Sequence, residues 1–413
     1  MVSPLPTSHN LLRAFVYLGC LCIASAYGLF FTLPLHVKAL GGDEAVVGSI
    51  LFAGAFGTLL CVGFTNQIMA IWRPHVSVAV GALCYAAGAM IFVLVHTISP
   101  LYYAAGFLLG AGWGLTFTIA PIMLSGLVSD ANRAVFFSVL SAFYAIGMGL
   151  TPVLARYLLG VGVPHWQIFV GAMLFAVASA MLFYTAGRQL HHIVGPTREP
   201  LPGGEWEALR MIAASPAKYP LLMVFLGACV FSSIMNFQTT YAASKGLNFS
   251  VFFVWYTAAV IGARFLVSGF VNRREPMKAT IALLVLMCLS LVLFAAISTS
   301  TVLYAVSSLL LGLSYGLVYP LIQAQAVNCS DERVRSRTLV YFSLCYFFGV
   351  FGFPIIGGYI IVTGGYWALL IALLAMAGLE LAVAVWRYLT SPMSYLARKQ
   401  HRQDKTGHAH PRN

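Results

Sequence analysis

One of the eleven acidic residues, Glu380, lies inside a long apolar stretch, and two arginines, Arg156 and Arg264, do the same. A carboxyl at that depth is costly and can carry a proton or another coupling ion through a cycle. Each guanidinium costs at least ~2.5 kcal/mol at a membrane centre unless it faces a partner or water. Two intramembrane cations with almost no intramembrane anions suit an anionic or carboxylate-bearing ligand. The plainer readings stand beside these. Glu380 lies about two turns before Arg387 and could snorkel or make a structural bond, Arg156 could snorkel from a helix end, and Arg264 could bond carbonyls near a gate.

The remaining chemistry is that of amides, phenols and rings. Tyr27 and Phe31 are four apart and share a helix face. Trp113 is matched by Tyr315 in the second half of the chain, and Tyr315, Tyr319 and Gln323 form an i, i+4, i+8 stripe. Asn236, Gln238 and Tyr346 complete the set of candidate ligand contacts. Such a stripe is ordinarily packing, but buried amides and phenols in a membrane bundle must find partners, which raises the case for a wet cavity. His36 and His165 read as interface residues. No nucleophile, base and orienting group recur at informative spacing, no His/Asp/Glu cluster has metal-site spacing, and no Gly-x-x-x-x-Gly-Lys loop is present. The chain therefore reads as a non-enzyme with no cofactor, no metal and no direct use of ATP. Seven of the eight cysteines fall in apolar segments and read as small packing residues.

The elements that must position these groups follow from composition. Hydrophobic residues make up 60% and charged residues 8% of the 413, against roughly 25% charged in a soluble domain. Apolar runs of about 20 residues match the ~30 Å of hydrocarbon a helix must cross, and they lack the two-residue alternation of barrel strands. Twelve such runs can be drawn: 12–36, 46–69, 76–96, 100–123, 134–158, 167–186, 219–241, 250–271, 277–297, 301–325, 337–361 and 366–388. The leader before the first run has no small-residue cleavage site, so that run reads as a span. With the N-terminus inside, nineteen of the 23 basic residues fall in inner loops and tails, and the outer loops hold Lys38 and Lys245. Both termini are thus expected in the cytoplasm. The net charge of +12 is a matter of topology and does not call for nucleic acid.

The second half repeats the first. Leu101-Tyr102, Leu108-Leu109-Gly110 and Gly114-Leu115 recur as Leu303-Tyr304, Leu310-Leu311-Gly312 and Gly316-Leu317 at an offset of 202. Pro152 and Trp166 return as Pro354 and Trp367. The expected architecture is an all-α membrane protein: an N-terminal six-helix bundle (1–186), a cytoplasmic linker with a surface helix (187–218), a C-terminal six-helix bundle (219–390) and a polar, histidine-bearing tail (391–413). A ligand site is expected between the halves. The halves differ at Arg156 against Gly358 and at Thr58 against Arg264, which singles out the two arginines.

Twelve spans in two parallel six-helix repeats resemble the major facilitator superfamily, whose two halves are parallel repeats. Leu33-Pro34-Leu35-His36, then Leu40-Gly41-Gly42 and Val47-Gly48, is similar to the opening of its efflux-type branches. Gly147-x-x-x-Thr151-Pro152 is similar to the antiporter Gly-Pro motif, with Gly349-x-x-x-Phe353-Pro354 as its counterpart. In the loop after the second span the family's acid is absent. Asn66 stands nearby and Arg73 is the surviving base, so the cytoplasmic latch must differ. Asn272 and Arg273 are the corresponding pair, and Asp130 with Arg133 and Asp331 with Arg335 form the other gating sets. Gly106 stands where the antiporter arginine would be, so no arginine-based proton relay is implied there.

The resemblance implies a secondary transporter in a bacterial inner membrane, working as a monomer by alternating access on a small-molecule substrate. An exported metabolite or drug-like compound, carboxylate-bearing and siderophore-like, satisfies both the motifs and the arginines. Uptake or exchange of an organic anion is the alternative. A non-transporting membrane sensor or scaffold is the alternative from another class.

Overall fold

The computed structural model describes residues 7–125, 127, 133–189, 204–263, 275–331 and 334–390, and among these every regular element is helical. The words outer and inner follow the positive-inside expectation. In the first half, α1 (Thr7–Leu29) passes through a 3₁₀ turn, Phe30–Thr32, into α2 (Leu33–Ala39). Pro34 near the start of α2 sits where a missing N–H costs nothing. Then come α3 (Glu44–Gly63), α4 (Thr65–Ile71), α5 (Pro74–Leu94), α6 (Leu101–Ser125), α7 (Arg133–Gly160) and α8 (His165–Gln189). The linker contributes α9 (Gly204–Ala214). The second half holds α10 (Lys218–Ser244), α11 (Phe249–Gly262), α12 (Pro276–Ala296), α13 (Thr301–Asn328), α14 (Arg335–Phe347) and α15 (Phe353–Thr390).

Each segment expected to cross the membrane is helical, with three refinements. The second span stops at Gly63, and the loop residues after it form the separate α4. The eighth is described over Phe249–Gly262. The eleventh contains a π turn, Phe348–Gly352, between α14 and α15. α15 carries the end of that span and all of the twelfth, because Gly365 (φ 75°, ψ 179°) divides it.

The repeat is visible in the backbone itself. The positive-φ residues described are Gly41, Gly162, Gly246 and Gly365, which follow the first, fifth, seventh and eleventh spans. Two outer turns in each half thus carry a glycine at positive φ. The glycines shared by the halves do equivalent packing work. A Cβ on Gly110 of α6 would overlap the Gly54 carbonyl of α3, and one on Gly312 of α13 would overlap the Tyr256 carbonyl of α11. Small residues let backbones approach where apolar side chains gain nothing from leaving lipid. Thr58, opposite Arg264 in the repeat, donates to the Gly110 carbonyl (2.8 Å) and ties α3 to α6.

The two halves meet along α3 against α15 and along α7 against α11. Gly358 is the place where α15 lies against the Glu44 carbonyl of α3. That close approach explains a glycine where the first half has Arg156. Gly149 of α7 makes the matching approach to Thr257 of α11.

Candidate substrate cavity

Between the halves lies a small pocket with about 20 Å³ of free space, room for about one water molecule. Tyr27 and Phe31 of the first span, Ile50 and Gly54 of α3, Asn236 of α10 and Phe351 of the π turn line it, with Tyr85 behind. The Tyr27 ring lies 4.2 Å from Trp113, 5.4 Å from Phe31 and 6.4 Å from Phe351, centre to centre. Phe31 stacks on Phe253 of α11 at 5.4 Å. The wall is therefore aromatic and drawn from both halves. Asn236 donates to the Ser232 carbonyl (2.9 Å), which orients its amide. Its lining is apolar and aromatic with few polar groups, a surface on which an apolar body would pack once the site widens.

Thr151 shows why the Gly-Pro-like stretch carries threonine. Its hydroxyl lies 3.0 Å from the Ser25 carbonyl and 2.8 Å from the Gly147 carbonyl, bridging α7 to α1. Gly28 of α1 faces it, and a Cβ there would run into the Thr151 hydroxyl. In the second half, Ser232 of α10 bonds the Val350 carbonyl of the π turn. A π turn leaves carbonyls without their usual helical partners, and this hydroxyl takes one.

Outside the cavity the halves are joined at their outer ends. The Thr239 hydroxyl of α10 donates to the Phe31 carbonyl (3.1 Å), and the Tyr366 hydroxyl donates to Glu44 Oε1 (2.7 Å). Asp43 fixes the start of α3 by accepting from the Val46 N–H (3.0 Å). His36 is buried, with Nε2 3.1 Å from the Tyr102 hydroxyl; Tyr102 donates to the Val95 carbonyl (2.8 Å), so His36 is the donor to Tyr102.

Of the ligand contacts expected from sequence, Tyr27, Phe31 and Asn236 come together at the cavity, and Trp113 backs Tyr27. Tyr315 is buried and stacked on Phe231 (4.6 Å), while Tyr319 and Tyr346 are half-buried neighbours (5.1 Å). Gln323 is half-buried on α13. Gln238 belongs elsewhere: its amide donates to the Tyr304 hydroxyl (2.6 Å) inside the C-terminal bundle. Arg156 is exposed on the outer part of α7, away from the cavity lining. Arg264 lies outside the described residues, as do Asp130, Asn272 and Arg273. The backbone places Asn66 in α4, Arg133 at the start of α7 and Arg335 at the start of α14; Arg73, just before α5, and Asp331, after α13, are exposed. Glu380 is fully buried and faces Gly227 of α10 in the C-terminal bundle. It neither snorkels nor makes a structural bond within the described residues.

Sequence reasoning missed Tyr85, Ile50, Gly54 and Phe351. Phe351 sits between Gly349 and Pro354, and that helix-irregular context was the available signal.

The family profile of the Major Facilitator Superfamily matches residues 15–353. The chain belongs to that superfamily. Solved structures of the same fold cover nearly all of it. The transporter PepTSo of the POT family superposes with a TM-score of 0.72 at 12% identity, covering 95% of this chain and 99% of that one. The nucleoside transporter NupG gives 0.68 at 16%, covering 92% and 98%. The human organic anion transporter MFSD10 gives 0.65 at 15%, covering 92% and 100%. No curated protein sequence matches the chain. As a major facilitator, the protein is an integral membrane transporter of a small molecule.

Proposed function

We propose that this protein exports a small organic solute by alternating access, with the cavity between the halves as the binding site. The observation that carries this reading is an aromatic cavity built by both halves beneath outer ends joined through Thr239–Phe31 and Tyr366–Glu44. The direction rests on the likeness of residues 33–48 and of Gly147–Pro152 to efflux branches. The favoured solute has an aromatic or apolar body and a group that bonds the Asn236 amide. A carboxylate on it, as in a siderophore-like compound, is the charge that the intramembrane Arg264 of the sequence suits. Uptake or exchange of an organic anion by the same cavity is the second reading, and Arg264 favours it. The proposed setting is a bacterial cytoplasmic membrane with both termini inside, the protein acting as a monomer.

A deletion strain exposed to a panel of toxic compounds, with profiling of its medium, tests direction. Export predicts greater sensitivity and loss of a metabolite from the medium; retention of that metabolite outside with reduced uptake would establish the second reading instead. If proteoliposomes move no solute of the panel under any ion gradient, transport of this solute class is ruled out.

A further inference from the structure

The C-terminal bundle holds two buried ionisable groups that answer each other. Glu380 is 0% exposed, and neither of its oxygens has a hydrogen-bond partner among the described residues. Buried polar groups are nearly always bonded, so an empty-handed carboxyl points to a ligand. Gly227 gives it room: a Cβ there would stand 3.2 Å from Oε2. The titratable groups around it are the thiols of Cys229 on α10 and Cys288 on α12 and the phenol of Tyr315 on α13, none of them a cation.

Arg387 is 9% exposed and lies seven residues further along α15. Its guanidinium is 3.0 Å from Gln325 Oε1, 3.3 Å from Cys329 Sγ and 3.9 Å from Met223 Sδ. The Tyr219 ring lies 6.0 Å from it, and none of these partners is a carboxylate. Seven residues make two turns, so the two side chains share a face about 10 Å apart along the axis. Helical side chains tilt toward the N-terminus, the direction in which Glu380 lies from Arg387. Both press on α10, one at Gly227 and the other at Met223.

We propose that Glu380 is a proton-binding site, and that on losing its proton the carboxylate is held by Arg387, which leaves Gln325 and Cys329 to reach it. A bare carboxylate in this bundle is untenable, and the nearest cation on its own face supplies the partner. The site lies outside the cavity, so proton and solute do not compete for one place. The link is α10, which packs on Glu380 through Gly227, carries Asn236 into the cavity and holds the π turn through Ser232. Its part in a transport cycle rests on the transport reading above; its binding of a proton does not.

The test uses full-length protein in lipid nanodiscs and dicyclohexylcarbodiimide, which modifies protonated carboxyls in apolar surroundings. Mass spectrometry should place the adduct on Glu380, absent in Glu380→Gln, and labelling should fall through one transition as pH rises. Arg387→Gln should move that transition upward by about one pH unit or more, and Arg387→Lys should restore it. No adduct on Glu380 overturns the proton site, and a transition unmoved in Arg387→Gln overturns the role of Arg387. Hydrogen exchange of the outer segments 30–45 and 354–370, corrected for the intrinsic effect of pH, tests the link. It should change with pH in the wild type and lose that change in Glu380→Gln; a change retained in that variant overturns the link through α10.

Discussion

At the residue scale, the side chains at the half-to-half and helix-to-helix joins are set by hydrogen bonds that sequence patterns do not display. The Thr151 hydroxyl spans from α7 to the Ser25 carbonyl of α1. Thr151→Val should cost about 1 kcal/mol, read as a lower melting temperature in detergent. Gly28→Leu, which forces a side chain into that contact, should cost about 1–3 kcal/mol by overpacking. A melting temperature unchanged in both would refute the bridge. The cavity makes a second division among residues. Asn236→Leu should weaken solute binding at least about tenfold, the worth of one well-made polar contact, whereas Arg156→Ala should leave it within about twofold. Equal losses would mean that Arg156 reaches the solute after all. Tyr27, Phe31 and Asn236 could be read from the chain as polar or aromatic groups on apolar segments. Gln238 could not be sorted from them, because its partner Tyr304 is 66 residues away and no spacing rule joins them.

At the scale of elements, the repeat decides most of what can be known beforehand. Segment positions followed from apolar run lengths, and the shared glycines from the need of backbones to touch. The π turn and the division of α15 did not follow, since both are backbone conformations specified by neighbours across the bundle. Gly365 holds φ 75° with ψ 179°, a region essentially closed to other residues and worth about 1–3 kcal/mol of strain in them. Gly365→Ala should therefore lower thermal stability by that amount, while Gly378→Ala, at a site with open space around it, should not. Like effects in the two variants would argue against the turn. Gly110→Leu should be far more damaging, because the backbones of α3 and α6 cannot separate locally; the expected outcome is loss of folded protein in size-exclusion chromatography.

At the scale of the whole molecule, the halves are joined through Thr239–Phe31 and Tyr366–Glu44 and share an aromatic wall. Tyr366→Phe removes the bond to Glu44, a contact to a charged group worth about 1.5–3 kcal/mol, and should raise the outward-open population about tenfold or more. The readout is modification of Leu51→Cys, at the cavity lining, by a membrane-impermeant maleimide added outside, on a background lacking the native cysteines. No increase in rate would show that the fastening lies elsewhere. Orientation belongs to this scale too: reporter domains fused to either end should be active only in the cytoplasm. The basic-residue asymmetry made that expectation available from sequence. The fastening itself was hidden there, because Tyr366 and Glu44 stand 322 residues apart.

The π turn at Phe348–Gly352 contains one more residue than an α-helical turn needs, and that surplus is slack. Each residue advances a helix by about 100°, so passing the surplus along by a single position re-aims one side chain and leaves those on either side where they were. Phe351, now in the cavity wall, is the side chain that would be turned. The Ser232 hydroxyl bonds the Val350 carbonyl within that surplus, so a Ser232→Ala change should free it to move. One hydroxyl on a neighbouring helix thereby sets the aim of an aromatic ring that the helix bearing it leaves adjustable.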